Sequence, residues 1–202
     1  MARWEPDARG RLLDAAVELF GEQGYAATTA TQIADRAGLT KTTLFRHFAD
    51  KREILFQGQD ELVGLVVTAV ADVEGDPTPV ELMRAGVLAW CPRHDEGRRE
   101  LGGRIEAIVA DSPELEERSL TKRAALGGAL RTALAERLED ARLAAVLADL
   151  GVRAFYEGFA RWVATPDDRV LADVVEGELD AYLAALERVA PPESRVAAPR
   201  SP

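Results

Sequence analysis

The chain has one cysteine and two histidines. A single cysteine excludes an internal disulfide and fits a reducing compartment. His47 and His94 each lack a second histidine or cysteine at ligand spacing, so no metal site is expected. No G-x-x-x-x-G-K loop is present to cradle phosphates, and no G-x-S-x-G elbow to expose a nucleophilic serine. The chain therefore reads as a non-enzyme with no catalytic residue and no cofactor. Cys91, between Trp90 and Pro92, has no basic neighbour in sequence to lower its pKa, and reads as a buried, inert thiol rather than a redox sensor. Long apolar runs are also lacking. None approaches the ~20 residues that a membrane span needs, and no signal peptide opens the chain, so no membrane partner and a cytoplasmic location are expected. Strand alternation and internal repeats are absent as well, which leaves an all-α chain of about nine helices.

The net charge of −10 is unevenly distributed. Residues 1–55 hold eight Lys/Arg and eight Asp/Glu, whereas residues 56–202 hold seventeen and twenty-seven. An acidic body is repelled by polyanions, so the neutral N-terminal end is the side on which one can approach. Within that end Lys41, Arg46, Lys51 and Arg52 lie close together in sequence.

The stretch from Thr28 to Leu55 is the most specific in the chain. Thr29 and Gln32 have capping-box spacing and start a helix at Ala30, with Ile33, Ala34 and Ala37 on one face and Gly38 at its end. Thr40 caps the next helix, in which Leu44 and Phe48 point inward and Thr42, Thr43 and Arg46 outward, with Lys41 at the leading edge. Asp50 and Glu53 form another capping box, predicting a long helix from Lys51 to about Glu74 with Leu55, Leu62, Leu65, Val66, Ala69 and Val73 as its apolar side. Helix, glycine turn and helix with a polar outer face is the helix-turn-helix layout, whose second helix enters the DNA major groove.

This stretch resembles the DNA-binding domain of the TetR family of bacterial repressors. The matching residues are Gly24-Tyr25, Thr28-Thr29, Ile33-Ala34, Ala37-Gly38-Leu39-Thr40, Leu44-Phe45, His47-Phe48, Lys51 and Leu55. The resemblance implies a homodimer that binds double-stranded operator DNA of pseudo-palindromic sequence and is released by a small-molecule effector. Lys41, Thr42, Thr43 and Arg46 are expected at base edges, and Thr29, Thr40, His47 and Lys51 at phosphates. At Phe45 the family usually has a tyrosine whose hydroxyl contacts a phosphate. Phe45 can fill the same space but cannot make that bond.

Around the motif, a first helix from about Asp7 to Gln23 repeats Leu13, Val17 and Phe20 at helical spacing. The leader at residues 2–6 reads as a frayed terminus rather than a minor-groove arm using Arg3. Capped or proline-marked starts then predict helices from Pro79 to about Trp90, 98–110, 113–139, 141–164 and 166–189, with a charged loop at 93–97. The division expected is a DNA-binding domain at 1–50, a ligand-binding and dimerisation domain at 51–190, and a disordered tail at 191–202.

Two features of the second domain bear on function. Phe155, Phe159 and Trp162 follow helical spacing beside Tyr156, a stripe that packs as plain core or, as the resemblance implies, lines a ligand cavity. Helical faces add Val66, Trp90, Ile105 and Ile108 to that lining, and predict a mostly apolar effector. Arg104 and Arg123 have apolar neighbours, and each can meet an anionic ligand or make surface ion pairs. The second feature is a pair of stripes, Leu147, Gly151, Ala154 and Gly158 on one helix and Leu171, Val175, Leu179, Tyr182 and Leu186 on the next. In the resembled family the last two helices of each subunit form a four-helix bundle, so these stripes are the expected dimer interface. Burying both inside one subunit is the alternative. For the chain as a whole, the rival readings are a helical small-molecule-binding protein or enzyme without a DNA role, and a non-specific DNA-packaging protein.

Overall fold

The computed structural model describes residues 7–91, 96–165 and 167–189, and over these the chain forms nine α-helices and no strand. They are α1 (Ala8–Gln23), α2 (Ala30–Arg36), α3 (Lys41–His47), α4 (Gln59–Ala71), α5 (Pro79–Leu88), α6 (Glu96–Ala110), α7 (Pro113–Arg137), α8 (Ala141–Ala164) and α9 (Leu171–Val189). A short 3-10 helix, Arg52–Ile54, lies between α3 and α4. The expected leader, the first part of the loop at 93–97, and the tail at 191–202 lie outside the described residues.

Two apolar cores organise these helices. The smaller gathers Leu12, Ala16 and Phe20 of α1, Ile33 and Ala34 of α2 and Leu44 of α3. It also takes in Ile54, Leu55 and Phe56, together with Ile108 at the end of α6 and Leu115 at the start of α7. The larger is built by α4, α5, α7, α8 and α9 around Val66, Met83, Trp90, Leu130 and Val175. Through α6 and α7, then, the second body supplies part of the first body's core. Arg137 fastens the far end of α4 to α7 by donating to the carbonyls of Val70 (2.7 Å), Ala71 (3.0 Å) and Val73 (2.9 Å), which satisfies oxygens that a helix end leaves without partners.

The helix expected from Lys51 to Glu74 is in fact broken. Asp50 Oδ1 accepts the amides of Arg52 (2.8 Å) and Glu53 (3.1 Å), so the cap forms. The Glu53 carboxylate, however, goes to Arg118 on α7 instead of closing the box. Ile54, Leu55 and Phe56 turn into the small core, and Gly58 with φ +81° redirects the chain before α4 begins. That positive φ suits glycine and few other residues. The break also changes which residues of α4 face inward: Val66 and Val70 are buried, while Leu65 is 49% exposed. By length and composition the stretch Arg52–Ala71 is apolar enough for a membrane span, contrary to expectation. Its helix, Gln59–Ala71, is only about 20 Å long, well short of the ~30 Å hydrocarbon layer.

The start of α9 is also later than expected, at Leu171 rather than 166. Carbonyls that would begin such a helix are taken from outside it. Arg99 donates to Asp167 O (2.6 Å) and Arg169 O (2.7 Å), and Trp162 Nε1 donates to Arg169 O (3.0 Å).

Candidate functional site

Local chemistry shapes the surface formed by α2 and α3. Thr29 Oγ1 accepts the Gln32 amide (3.2 Å) and Gln32 Oε1 accepts the Thr29 amide (2.8 Å), closing the box that starts α2. At its end Gly38 has φ +66°, and the Leu39 amide returns to Ala34 O (2.8 Å). A side chain at Gly38 would also collide with Arg11, whose guanidinium donates to the Ala37 carbonyl and so ties α1 to the turn. Thr40 Oγ1 accepts the Thr43 amide (3.1 Å) and starts α3.

Seven residues long, α3 buries Leu44, with Phe48 buried just beyond its end, and leaves Lys41, Thr42, Phe45 and Arg46 exposed. No acidic residue occurs on it. Thr43 is half-buried, its hydroxyl paired with that of Thr40 at 3.0 Å. Phe45 stands on the surface, 46% exposed, with the Lys41 ammonium 5.7 Å from its ring centre. His47 is half-buried, and its Nε2 is enclosed without a hydrogen-bond partner. Thr29 and Thr40 flank this face as exposed caps.

Lys51 is placed differently from the expectation of a phosphate contact. Its ammonium donates to the carbonyls of Tyr25 (2.6 Å) and Thr28 (2.7 Å) and lies 4.0 Å from the centre of the Tyr25 ring. Burial lowers its pKa, against the opposing pull of Glu114 and Asp50. This lysine holds the α1–α2 loop.

In the second body, the aromatic residues do come together. Ring centres of Trp90 and Phe155 are 5.4 Å apart, Phe155 and Tyr156 5.2 Å, and Phe159 and Trp162 6.0 Å. Two cavities flank them. One, of about 820 Å³, is lined by Trp90, Phe155, Phe159, Trp162 and Ile105, and reaches Arg9 and Leu13 of α1. The other, of about 460 Å³, lies between α6, α7 and α8 and the segment after the 3-10 helix. Its lining includes Leu55, Phe56, Ile105, Tyr156 and Phe159 with Glu106, Lys122 and Arg123. Phe159, Ile105 and Gly102 border both. Gly102 is required there, since a Cβ at that position would come within 2.8 Å of the Phe159 ring.

Three expected lining residues are elsewhere. Val66 is fully buried in the packed large core, Ile108 belongs to the small core, and Arg104 is exposed to solvent. Conversely, Lys122, Leu55 and Phe56 line the smaller cavity although the sequence did not assign them to a lining. Arg123 lies over the Tyr156 ring at 4.1 Å, and burial pushes the Tyr156 phenol up to about 12. Burial likewise pushes the Cys91 thiol up to about 12, which leaves it a protonated, weakly reactive group. Among the described residues no group of three or more metal-ligating side chains converges.

The small-residue stripe of α8 serves packing within the subunit, against its expected role between subunits. Leu147, Gly151, Ala154 and Gly158 are all buried in the single chain. A Cβ on Gly151 would meet Val87 at 2.7 Å, and one on Gly158 would meet the Val175 backbone at 3.0 Å. Leu171, Val175 and Leu179 are buried for the same reason: they face α8 of their own chain. Of the second stripe only Tyr182, half-buried, and Leu186, 48% exposed, reach the surface. The apolar face at the surface consists of exposed Leu143 and Val146 on α8 and Leu186 on α9, beside half-buried Leu150 and Leu183. Val146, Leu150 and Leu186 share one open groove.

A family model described as "Bacterial regulatory proteins, tetR family" matches residues 12–57, the segment that carries α1 to α3. The chain is similar to the HTH-type transcriptional regulator HbdR of Aromatoleum sp. (strain CIB), with 33% identity over 93 residues, 46% of this chain and 41% of that protein. It is also similar to the HTH-type transcriptional activator FasR of Mycolicibacterium smegmatis, with 48% identity over 48 residues, 24% of this chain and 22% of that one. The chain thus spans less than half the length of these curated relatives. Among solved structures, Thermus thermophilus FadR, described as a TetR family transcriptional repressor in complex with lauroyl-CoA, has a TM-score of 0.51 and 26% identity, covering 94% of this chain and 99% of that one.

Proposed function

Because the chain belongs to the tetR family of bacterial regulatory proteins, we propose that it is a ligand-responsive transcriptional regulator that acts in the cytoplasm. It binds a pseudo-palindromic operator as a homodimer and is released by a small, mostly apolar effector. We assign DNA binding to residues 1–50 and effector and subunit binding to 51–190. The observation that carries this reading is the exposed face of α3, cationic and hydroxyl-bearing, on a helix capped by Thr40 and joined by a glycine turn to α2, which Thr29 caps. Lys41, Thr42 and Arg46 reach base edges, while Thr29, Thr40 and His47 hold phosphates. Thr43 supports Thr40 as well as facing the groove. The effector occupies the aromatic-lined cavities, whose volumes lie in the range of small-molecule sites.

Affinity for a captured genomic fragment, compared with random duplex at one salt concentration, tests this function. The ratio expected is about 10³–10⁷. A ratio near one identifies a non-specific DNA-packaging protein, and no binding to any DNA favours a helical carrier.

Two substitutions divide the interface by role. Arg46→Ala should relax sequence preference at one or two base pairs, at a cost of about 1–3 kcal/mol if the contact is bidentate. Lys51→Met should instead take the ammonium from the Tyr25 and Thr28 carbonyls, the first of which keeps the Thr28 amide, and cost about 1.5–3 kcal/mol of fold stability. It should leave the salt dependence of DNA binding unchanged, because no phosphate contact is lost. A salt slope reduced by about one unit in Lys51→Met would return this lysine to the phosphates.

A further inference from the structure

The smaller cavity contains a cation without a counter-charge. Lys122 is partly buried in its wall, and among the described residues its ammonium makes no hydrogen bond or ion pair; its contact is with the Phe56 ring, 5.9 Å from the ring centre. The neighbouring charge is Arg118, one helical turn earlier and of the same sign, which lies over the same ring at 5.3 Å. Arg118 is already engaged, donating to both oxygens of Glu53 (2.7 and 2.9 Å). Of the other charged groups in the lining, Glu106 and Arg123 act on each other, and Glu116 is exposed. Burial and the like charge of Arg118 both lower the Lys122 pKa, as expected for an ammonium that lacks a partner. Beyond it the wall is apolar, formed by Ile105, Tyr156 and Phe159.

Resting on the effector reading above, we propose that this cavity takes an elongated amphiphile whose single anionic group is held by Lys122 and whose apolar tail runs along Ile105, Tyr156 and Phe159. An uncompensated ammonium in an apolar wall is costly, and an entering anion removes that cost while its tail leaves water. A neutral molecule of the same shape gains only the second term. A cationic one adds repulsion. The site therefore selects by charge as well as by length.

Three probes sharing one tail separate these contributions: decanoate, decan-1-ol and decyltrimethylammonium, titrated into the full chain without DNA and followed by calorimetry. Decanoate should bind about ten-fold or more tighter than the alcohol, the scale of a charge-assisted contact, and the ammonium should bind weakest. In Lys122→Met the alcohol should bind as before while the preference for decanoate vanishes, and Lys122→Arg should restore it. Circular dichroism on each variant identifies one that fails to fold, and the three-probe ranking in the parent chain tests the charge selection without any variant. Equal affinity for acid and alcohol, a preference surviving in Lys122→Met, or no binding of any probe would overturn the proposal. Operator affinity is measured in a separate arm. Lys122-dependent binding that leaves operator affinity unchanged upholds the anion site and refutes its effector role. Operator release by acid and alcohol alike does the reverse.

Discussion

A double substitution, Val146→Arg with Leu186→Arg, is expected to yield a folded monomer that binds its operator about 10²–10⁴-fold more weakly than the parent chain. Both positions are exposed in the single subunit, at 56% and 48%, so neither change disturbs intrachain packing. Substitutions at such sites usually alter fold stability by less than about 0.5 kcal/mol. Leu143, Val146 and Leu186, with half-buried Leu150 and Leu183, nevertheless make an apolar face that its own chain covers only in part, and a second copy related by a two-fold axis can cover it with the same residues. Two half-sites about 34–36 Å apart, or a multiple of that, require two recognition helices held at a fixed separation. Without the dimer each binds alone, and the loss is that of effective concentration. Gly158→Arg is expected to behave otherwise. Its first side-chain carbon would approach the Val175 backbone at 3.0 Å, so the α8–α9 contact of the monomer opens and the chain loses its cooperative unfolding transition. Light scattering and thermal denaturation on both variants distinguish the two outcomes. A full dimer in the double variant, or a well-folded monomer in Gly158→Arg, would refute this assignment of faces.

That contrast shows what a sequence can and cannot reveal in this chain. The helix-turn-helix was legible because each of its boundaries is set within six residues: Thr29 with Gln32, Ala34 with Leu39 across Gly38, Thr40 with Thr43. The stripe Leu147, Gly151, Ala154 and Gly158 was equally visible, but close packing of small residues occurs within a subunit or between two. Only the positions of Val87, Met83 and Val175 decide which. The break at 55–58 was hidden for a related reason. Leu55 and Phe56 continue an apolar pattern compatible with a helix, while the small core that draws them away is assembled partly from Ile108 and Leu115, far along the chain. Arg104 and Lys122 show the limit most directly. Both are basic residues within long helices, yet one faces solvent and the other a cavity, and the orientation of α6 and α7 was needed to tell them apart.

The broken helix also bears on how a ligand in the second body can reach the recognition helix. A continuous helix from Lys51 would carry a push from the ligand straight to the recognition helix, and that lever does not exist here. Besides α6, the helix that joins the two bodies is α7. Its first turns pair Glu114 with the Tyr25 hydroxyl (2.8 Å), and Arg118 with Glu53 and with Gln59 (3.0 Å). Lys122, one turn further along the same face, lines the smaller cavity. A ligand gripping Lys122 therefore acts on the helix that holds Glu53 and Phe56, and through them on the core behind α3. Arg118 and Glu53 are largely shielded, with side chains 17% and 28% exposed, so their pairing is stronger than an ion pair at the surface. Arg118→Met removes the guanidinium, and with it the pairing to Glu53 and the cation over the Phe56 ring. In the parent chain decanoate should reduce operator affinity by about 5–150-fold, and by linkage operator DNA should weaken decanoate by the same factor. In Arg118→Met both ligands should still bind, with the coupling factor reduced to within about two-fold of unity. Without any ligand, backbone amides of residues 52–58 should exchange with deuterium faster in this variant than in the parent chain, because the segment has lost its tie to α7. Unchanged coupling together with unchanged exchange would show that the signal bypasses Glu53 and travels by the other contacts between the bodies, Glu114 of α7 with Tyr25, or Leu115 and Ile108 in the small core.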